Sequence, residues 1–305
     1  MVLSSGGPLG ISHLGVLKKL EEEKIKPDII TGSSAGAIAG GLYASGTSID
    51  EMIDLALSNE LSKMFSDYTI LGIYSNGFGA IRGSNMLNLL REKTKNKLFY
   101  DLKIPFAANA VNFFTSKEIM LKKGNIAEAL RASASIPMLF KPYYLNGKYL
   151  IDGSVSNPLP VNLARKLGAD YTLGITFSSN SMSKVDPSTM NFVDQIKALA
   201  ISKLDDSVFG KLKRIMNIPM VNKIMNLFSI DKKMLYHFFK MHNAGLKVNK
   251  SRNMKSDILI DTQITNKNIS KEELIKTGYN QAAKMIEDVK IAIENAKINH
   301  SKLIR

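Results

Sequence analysis

Apolar and polar positions follow two rhythms along the chain. Val2-Leu3-Ser4 is a short apolar run that leads into Ser5-Gly6-Gly7-Pro8-Leu9-Gly10. From Ile11 to Glu23 the apolar positions Ile11, Leu14, Leu17 and Leu20 recur at helical spacing and give one buried stripe. The unit then repeats in kind. Ile29-Ile30-Thr31 reads as a strand, Gly32 to Gly36 as a turn, and Ala35 to Ser45 as a small-residue helix stopped by Gly46. Further strands are predicted over Phe106–Val111, Ile119–Leu121, Tyr149–Ile151 and Tyr171–Thr176, with helices over Asn125–Ser133 and Pro160–Leu167 among those between them. Asp257 to Ile260 reads as a last strand, and a final helix from about Glu272 carries Leu274, Ile275, Tyr279, Ala282 and Ile286 on one side.

Such alternation predicts a three-layer α/β/α fold with a largely parallel central sheet. The stretch from Met190 to His242 breaks the pattern, being rich in Met, Phe, Ile and Lys with helical spacing on both sides of Pro219. It is read as a helical lid-like segment or a surface for an anionic membrane; the plainer alternative is packing against the sheet. The organisation expected is one domain over 1–305. It comprises an α/β core over residues 1–185, a basic helical insertion or lid over 186–255, and a final strand and helix over 256–305.

Composition narrows the chemistry. The 305 residues are 45% hydrophobic and 22% charged, as in an ordinary globular protein. No cysteine is present, which excludes disulfides and thiolate metal sites. The four histidines, His13, His237, His242 and His300, do not stand at metal-binding spacing, so no structural metal is expected. Of the net charge of +14, much lies between residues 190 and 255, where thirteen Lys/Arg face four Asp/Glu. That balance suits anionic lipid headgroups or nucleic acid, or it is a solvated face of a Lys-rich chain. No run approaches the length of a membrane span, and the opening residues lead to the expectation of no signal peptide. The expected location is cytoplasmic, with peripheral membrane contact.

Three short blocks carry candidate chemistry. Gly32-Ser33-Ser34-Ala35-Gly36 is a G-x-S-x-G sequence with a strand before it and a helix after. A nucleophile on a sharp strand-to-helix turn is forced outward, and small neighbours let the backbone pack tightly around it. The helix that starts there presents its positive end to an oxyanion. In Ser5 to Gly10, Gly6 and Gly7 supply N–H groups that can approach a substrate closely, whereas Pro8 has none to give. A dinucleotide site fails on spacing, because Ser5 stands where the first glycine of G-x-G-x-x-G is required. The third block is Tyr149-Leu150-Ile151-Asp152-Gly153-Ser154, which sets an aspartate at the end of an apolar strand; alone, Asp-Gly is a turn signal. A Ser-His-Asp triad needs an imidazole beside Ser34. His13 sits on the helix after the glycine turn, and His237 and His242 lie in the basic segment. A carboxylate acting directly as base is therefore the simpler arrangement.

In order and separation the three blocks resemble the signature blocks of the patatin-like phospholipases. Ser12 to Leu17, Arg131-Ala132-Ser133-Ala134-Ser135-Ile136-Pro137 and Asn157-Pro158-Leu159-Pro160-Val161 are similar to that family too. The resemblance covers residues 1 to 180 and thins out beyond. It implies a lysophospholipase-like fold and a Ser34–Asp152 dyad without histidine. It further implies an oxyanion hole from Gly6 and Gly7, and hydrolysis of acyl esters of lipids without a cofactor. Three positions depart from the family pattern: Ser5 replaces a glycine, Leu9 replaces Arg or Lys, and Ser154 replaces Gly or Ala. Rival readings are a lipid transacylase and a non-catalytic lipid-binding protein on the same fold. A nucleic-acid-binding role has no recognition motif behind it.

Overall fold

The computed structural model describes residues 1–67, 79, 81–137, 139–177, 255–264 and 269–303, with side chains to 298. The basic helical segment expected over 186–255 therefore lies almost wholly outside the described residues. The strands are β1 (Val2–Leu3), β2 (Ile30–Gly32), β3 (Phe106–Asn112), β4 (Glu118–Leu121), β5 (Tyr143–Leu145), β6 (Lys148–Asp152), β7 (Leu173–Thr176) and β8 (Ile258–Asp261). The helices that matter below are α1 (Ser12–Glu22), α2 (Ala35–Ala44), α3 (Ile49–Leu57), α4 (Ser84–Lys93), α5 (Ile126–Ser133), α6 (Val161–Lys166) and α7 (Lys271–Leu303).

The eight strands named join one sheet, hydrogen-bonded along the path β5-β6-β3-β2-β1-β7-β8, with β4 also paired to β3. The run β3-β2-β1-β7-β8 is parallel, while β4, β6 and β5 add antiparallel pairings around β3. The last strand thus belongs to the same sheet as the first.

Alternation along the strands defines the layers. Val2 and Leu3 are adjacent and both fully buried, yet they serve different clusters. Leu3 joins the main core with Ala37, Ile30 and Leu130, whereas Val2 packs with Val161 and Ala164 of α6. Side chains of period two must point to opposite faces, so helices cover both. The faces are unequal. Most helices stand over the Leu3 face, and the Val2 face is held by the short α6 and by Val155 against Val111 and Ile151.

Two helices outside the sequence expectations, α3 and α4, fill the main core through Met52, Leu55, Met86 and Leu90. α3 begins in a capping box between Ser48 and Glu51, and Ser270 and Glu273 make the same reciprocal pair where α7 starts. The periodicity gave β6 but not its hairpin partner β5. The hairpin turns on Asn146 (φ 49°) and Gly147 (φ 76°), a pair that tolerates left-handed backbone on both residues.

Candidate active site

β3 acts as a ruler for the site. β2 rises along one edge of β3 and ends at Gly32, opposite Ala108. β6 runs the other way and ends at Asp152, opposite Ala110. β4 pairs with Ala108 to Val111, overlapping both registers. A strand has two hydrogen-bonding edges, so β4 takes one and β2 and β6 share the other, end to end. The carboxyl ends of β2 and β6 face each other across the single residue Asn109.

Ser34 follows β2 on a sharp turn with φ 51° and ψ −117°, a backbone conformation that L-residues rarely adopt. Packing holds it there. Gly36 lies so close to β1 that an added Cβ would sit 2.4 Å from Leu3 O and 2.5 Å from Ser4 O. The Ser34 N–H donates to Ser133 Oγ at 3.0 Å, from the end of α5. Ser34 is 5% exposed and Asp152 1%. The Ser34 hydroxyl donates to Asp152 Oδ2 at 2.6 Å, and Ser154 N–H donates to Oδ1 at 2.8 Å. Burial pushes the Asp152 carboxyl above the usual aspartate range, and the hydrogen bonds from Ser34 and Ser154 pull it partly back. A carboxylate raised in this way accepts a proton more readily, and the short contact sets a hydroxyl proton within its reach.

The glycine turn lies beside the elbow. An added Cβ on Gly10 would meet the Ala35 Cβ at 2.5 Å. Ser4 N–H is committed to Ile175 O and Ser5 N–H to Pro158 O. Among the described residues, the N–H groups of Gly6 and Gly7 have no backbone acceptor outside their own turn. Gly7 has φ 54°, and the Phe177 ring lies where a Gly6 Cβ would be. His13 is fully buried beneath this turn, with Nε2 donating to Ser4 O at 2.8 Å, and burial pulls its pKa down to about 4. It serves as a neutral strut of the glycine turn. The side chains of His237, His242 and His300 lie outside the described residues.

Two supports surround Asp152: one lies in the Arg131–Pro137 block that resembles the family, and the other centres on Glu118, which no motif marks. Arg131 is buried and, among the described residues, has no carboxylate in a salt bridge with it; it donates to Gly83 O, Arg82 O, Lys141 O and Ser135 Oγ. Burial lowers its pKa to about 10, which leaves it charged at neutral pH, and Phe140 and Tyr143 flank the guanidinium. Ser135 O in turn accepts the Asp152 N–H at 3.0 Å. On the other side, Glu118 gathers three amides: Asn109 at 3.3 Å, Asn157 at 2.7 Å and Asn162 at 2.9 Å. Asn109 Nδ2 also donates to Gly153 O and Asn157 O, tying down the turn that follows Asp152.

Comparison with known proteins finds relatives of moderate identity. An uncharacterized NTE family protein of Mycobacterium tuberculosis is 30% identical over 183 residues, covering 59% of this chain and 49% of that protein. A protein of Candida albicans named lysophospholipase NTE1 is 32% identical over 202 residues, covering 64% of this chain and 14% of that protein. The chain thus spans about half the length of the mycobacterial relative and a small part of the yeast one. The crystal structure of VipD from Legionella pneumophila shares the fold, with a TM-score of 0.50 at 15% identity over 94% of this chain and 66% of that one. The family model of the patatin-like phospholipases matches residues 1–165, more than half of the chain, and the chain belongs to that family.

Proposed function

We propose that this protein hydrolyses acyl esters of lipids through an acyl-enzyme on Ser34. The observation that carries the reading is the 2.6 Å hydrogen bond from a strained, nearly buried serine to an equally buried aspartate. As Ser34 Oγ attacks the ester carbonyl carbon, its proton passes to Asp152. The carbonyl oxygen becomes an oxyanion held by the N–H groups of Gly6 and Gly7. Collapse breaks the ester bond, and Asp152 returns the proton to the departing alcohol. Water then attacks the acyl-enzyme, gives a proton to Asp152 and releases the fatty acid, with Ser34 recovering its hydrogen. The buried pair favours this chemistry, because hydrogen bonds in a dry site gain strength.

The test is labelling with a fluorophosphonate, read by intact mass and peptide mapping. A single adduct on Ser34 is expected, absent from Ser34→Ala and slowed about 10²–10⁴-fold in Asp152→Asn. A folded chain that gives no adduct, with or without vesicles, overturns the reading and leaves a lipid-binding protein.

A further inference from the structure

Two hairpin tips overhang the carboxyl edge of the sheet next to Asp152. β3 runs past the end of β2 to Asn112, and β6 descends from Tyr149, whose carbonyl accepts the Phe113 N–H. The tips between β3 and β4 and between β5 and β6 therefore stand roughly 10 Å beyond Asp152, at about 3.3 Å per residue. They expose large aromatic rings. Phe114 is 68% exposed, Tyr144 61% and Tyr149 47%.

The rings form one continuous patch. Tyr149 lies 5.0 Å from Tyr144 and 5.9 Å from Phe114, and Phe114 lies 5.2 Å from Phe113, centroid to centroid. The tips are pre-ordered, since the Asn112 side chain accepts the Phe114 and Thr115 N–H groups at 3.0 and 3.1 Å. Residues 112–117 and 143–149 carry Lys117 and Lys148, both exposed, and no acidic residue. Exposed aromatics cost hydration in water, but they are at home where headgroups meet acyl chains, and lysines beside them attract anionic lipid.

We infer that the Phe114–Tyr144–Tyr149 patch, with Lys117 and Lys148, is the surface through which the protein docks on an anionic lipid bilayer. The choice of partner rests on the lipid-ester reading above; the patch itself does not. Docked by these tips, the chain faces the bilayer with the sheet edge that carries Ser34 and Asp152.

The test separates docking from catalysis. Sedimentation with vesicles of phosphatidylcholine and phosphatidylglycerol is measured on the full chain carrying Ser34→Ala. Adding Phe114→Ser, Tyr144→Ser and Tyr149→Ser lowers the bound fraction's partition coefficient roughly tenfold or more. Adding Lys117→Gln and Lys148→Gln instead lowers it about tenfold on anionic vesicles and little on pure phosphatidylcholine. Tyr100, 82% exposed before the opposite end of β3, is the control, and Tyr100→Ser changes nothing. With Ser34 restored, the aromatic variant retains its turnover of a short soluble ester.

Binding unaltered by the aromatic substitutions, or no binding by the parent chain, overturns the inference. So does a change in oligomeric mass on substitution, which would give the patch to a second copy of the chain. Patch-dependent binding by a Ser34 chain that cleaves no ester supports the inference and overturns only the catalytic reading.

Discussion

Ser34 and Asp152 stand 118 positions apart in the chain and meet at 2.6 Å because β2 and β6 end one residue apart on the same edge of β3. Neither residue is brought there by its own segment. The meeting depends on a register, and a slip of one residue along β3 would turn every side chain of the slipped strand to the other face.

The same pair gives a stability prediction. Asp152 has its carboxyl raised by burial, so the folded state binds its proton more tightly than the unfolded state does. The ionised form therefore opposes folding at neutral pH, and that penalty disappears as pH falls below the unfolded value. Asp152→Asn keeps the shape and the Ser154 hydrogen bond. The variant is expected to melt higher than wild type at pH 7, with the gain shrinking toward acid, while its labelling by fluorophosphonate collapses. A lower Tm at pH 7 would contradict the assigned desolvation.

Ser133 offers a second check, because its Oγ is the acceptor of the Ser34 N–H. Ser133→Ala leaves that buried donor without its acceptor and frees the turn to relax from φ 51°. A loss of about 1–3 kcal/mol in denaturant unfolding is expected, together with slower modification of Ser34. Unchanged labelling would show that the elbow holds its conformation without this contact.

The amide cluster around Glu118 predicts a separation of kinetic constants. Glu118→Ala removes the common acceptor of Asn109, Asn157 and Asn162 and loosens the turn after Asp152. Stability is expected to fall by about 1–3 kcal/mol. On a soluble ester, kcat should drop while KM stays close to wild type, since Glu118 positions Asp152 without touching substrate. A rise in KM at constant kcat would place the residue at the substrate surface instead.

His13 sets an acid limit. Its folded pKa of about 4 lies below the unfolded value of 6.5, so the unfolded chain takes up a proton that the native chain refuses. Stability is thus lost as pH falls from about 6.5 toward 4, by a total on the order of 3 kcal/mol. His13→Gln retains a donor for Ser4 O and should flatten the fall over that window in denaturant titrations. A variant with the wild-type slope would assign the loss to other groups.

Much of this site was legible before any fold was known. The G-x-S-x-G block between a strand and a helix located Ser34, because only small residues let a chain turn so sharply. Gly6 and Gly7 were marked by the same need for close backbone approach. The apolar runs gave most strands to within about two residues, since burial of a sheet face imposes its period on the side chains. Two further signals stand outside the hydrophobic periodicity: the Ser48–Glu51 capping box of α3 and the Asn146–Gly147 turn that pairs β5 with β6. Both are local chemistry, readable from single residues at fixed offsets.

Everything that depends on pairing between distant segments came from the three-dimensional packing alone. No periodicity reveals that β1 lies between β2 and β7, or that Glu118 reaches three asparagines from separate elements. Arg131 and Ser133 fall in a block that resembles the family, yet what each of them supports follows only from packing. Asp152 alone was a turn signal; β3, by fixing where two strands end, makes it the partner of Ser34. The sequence determined the elements and the reactive residue types, because these follow from local sterics and burial. The distances among them followed from strand register, a property no single segment possesses.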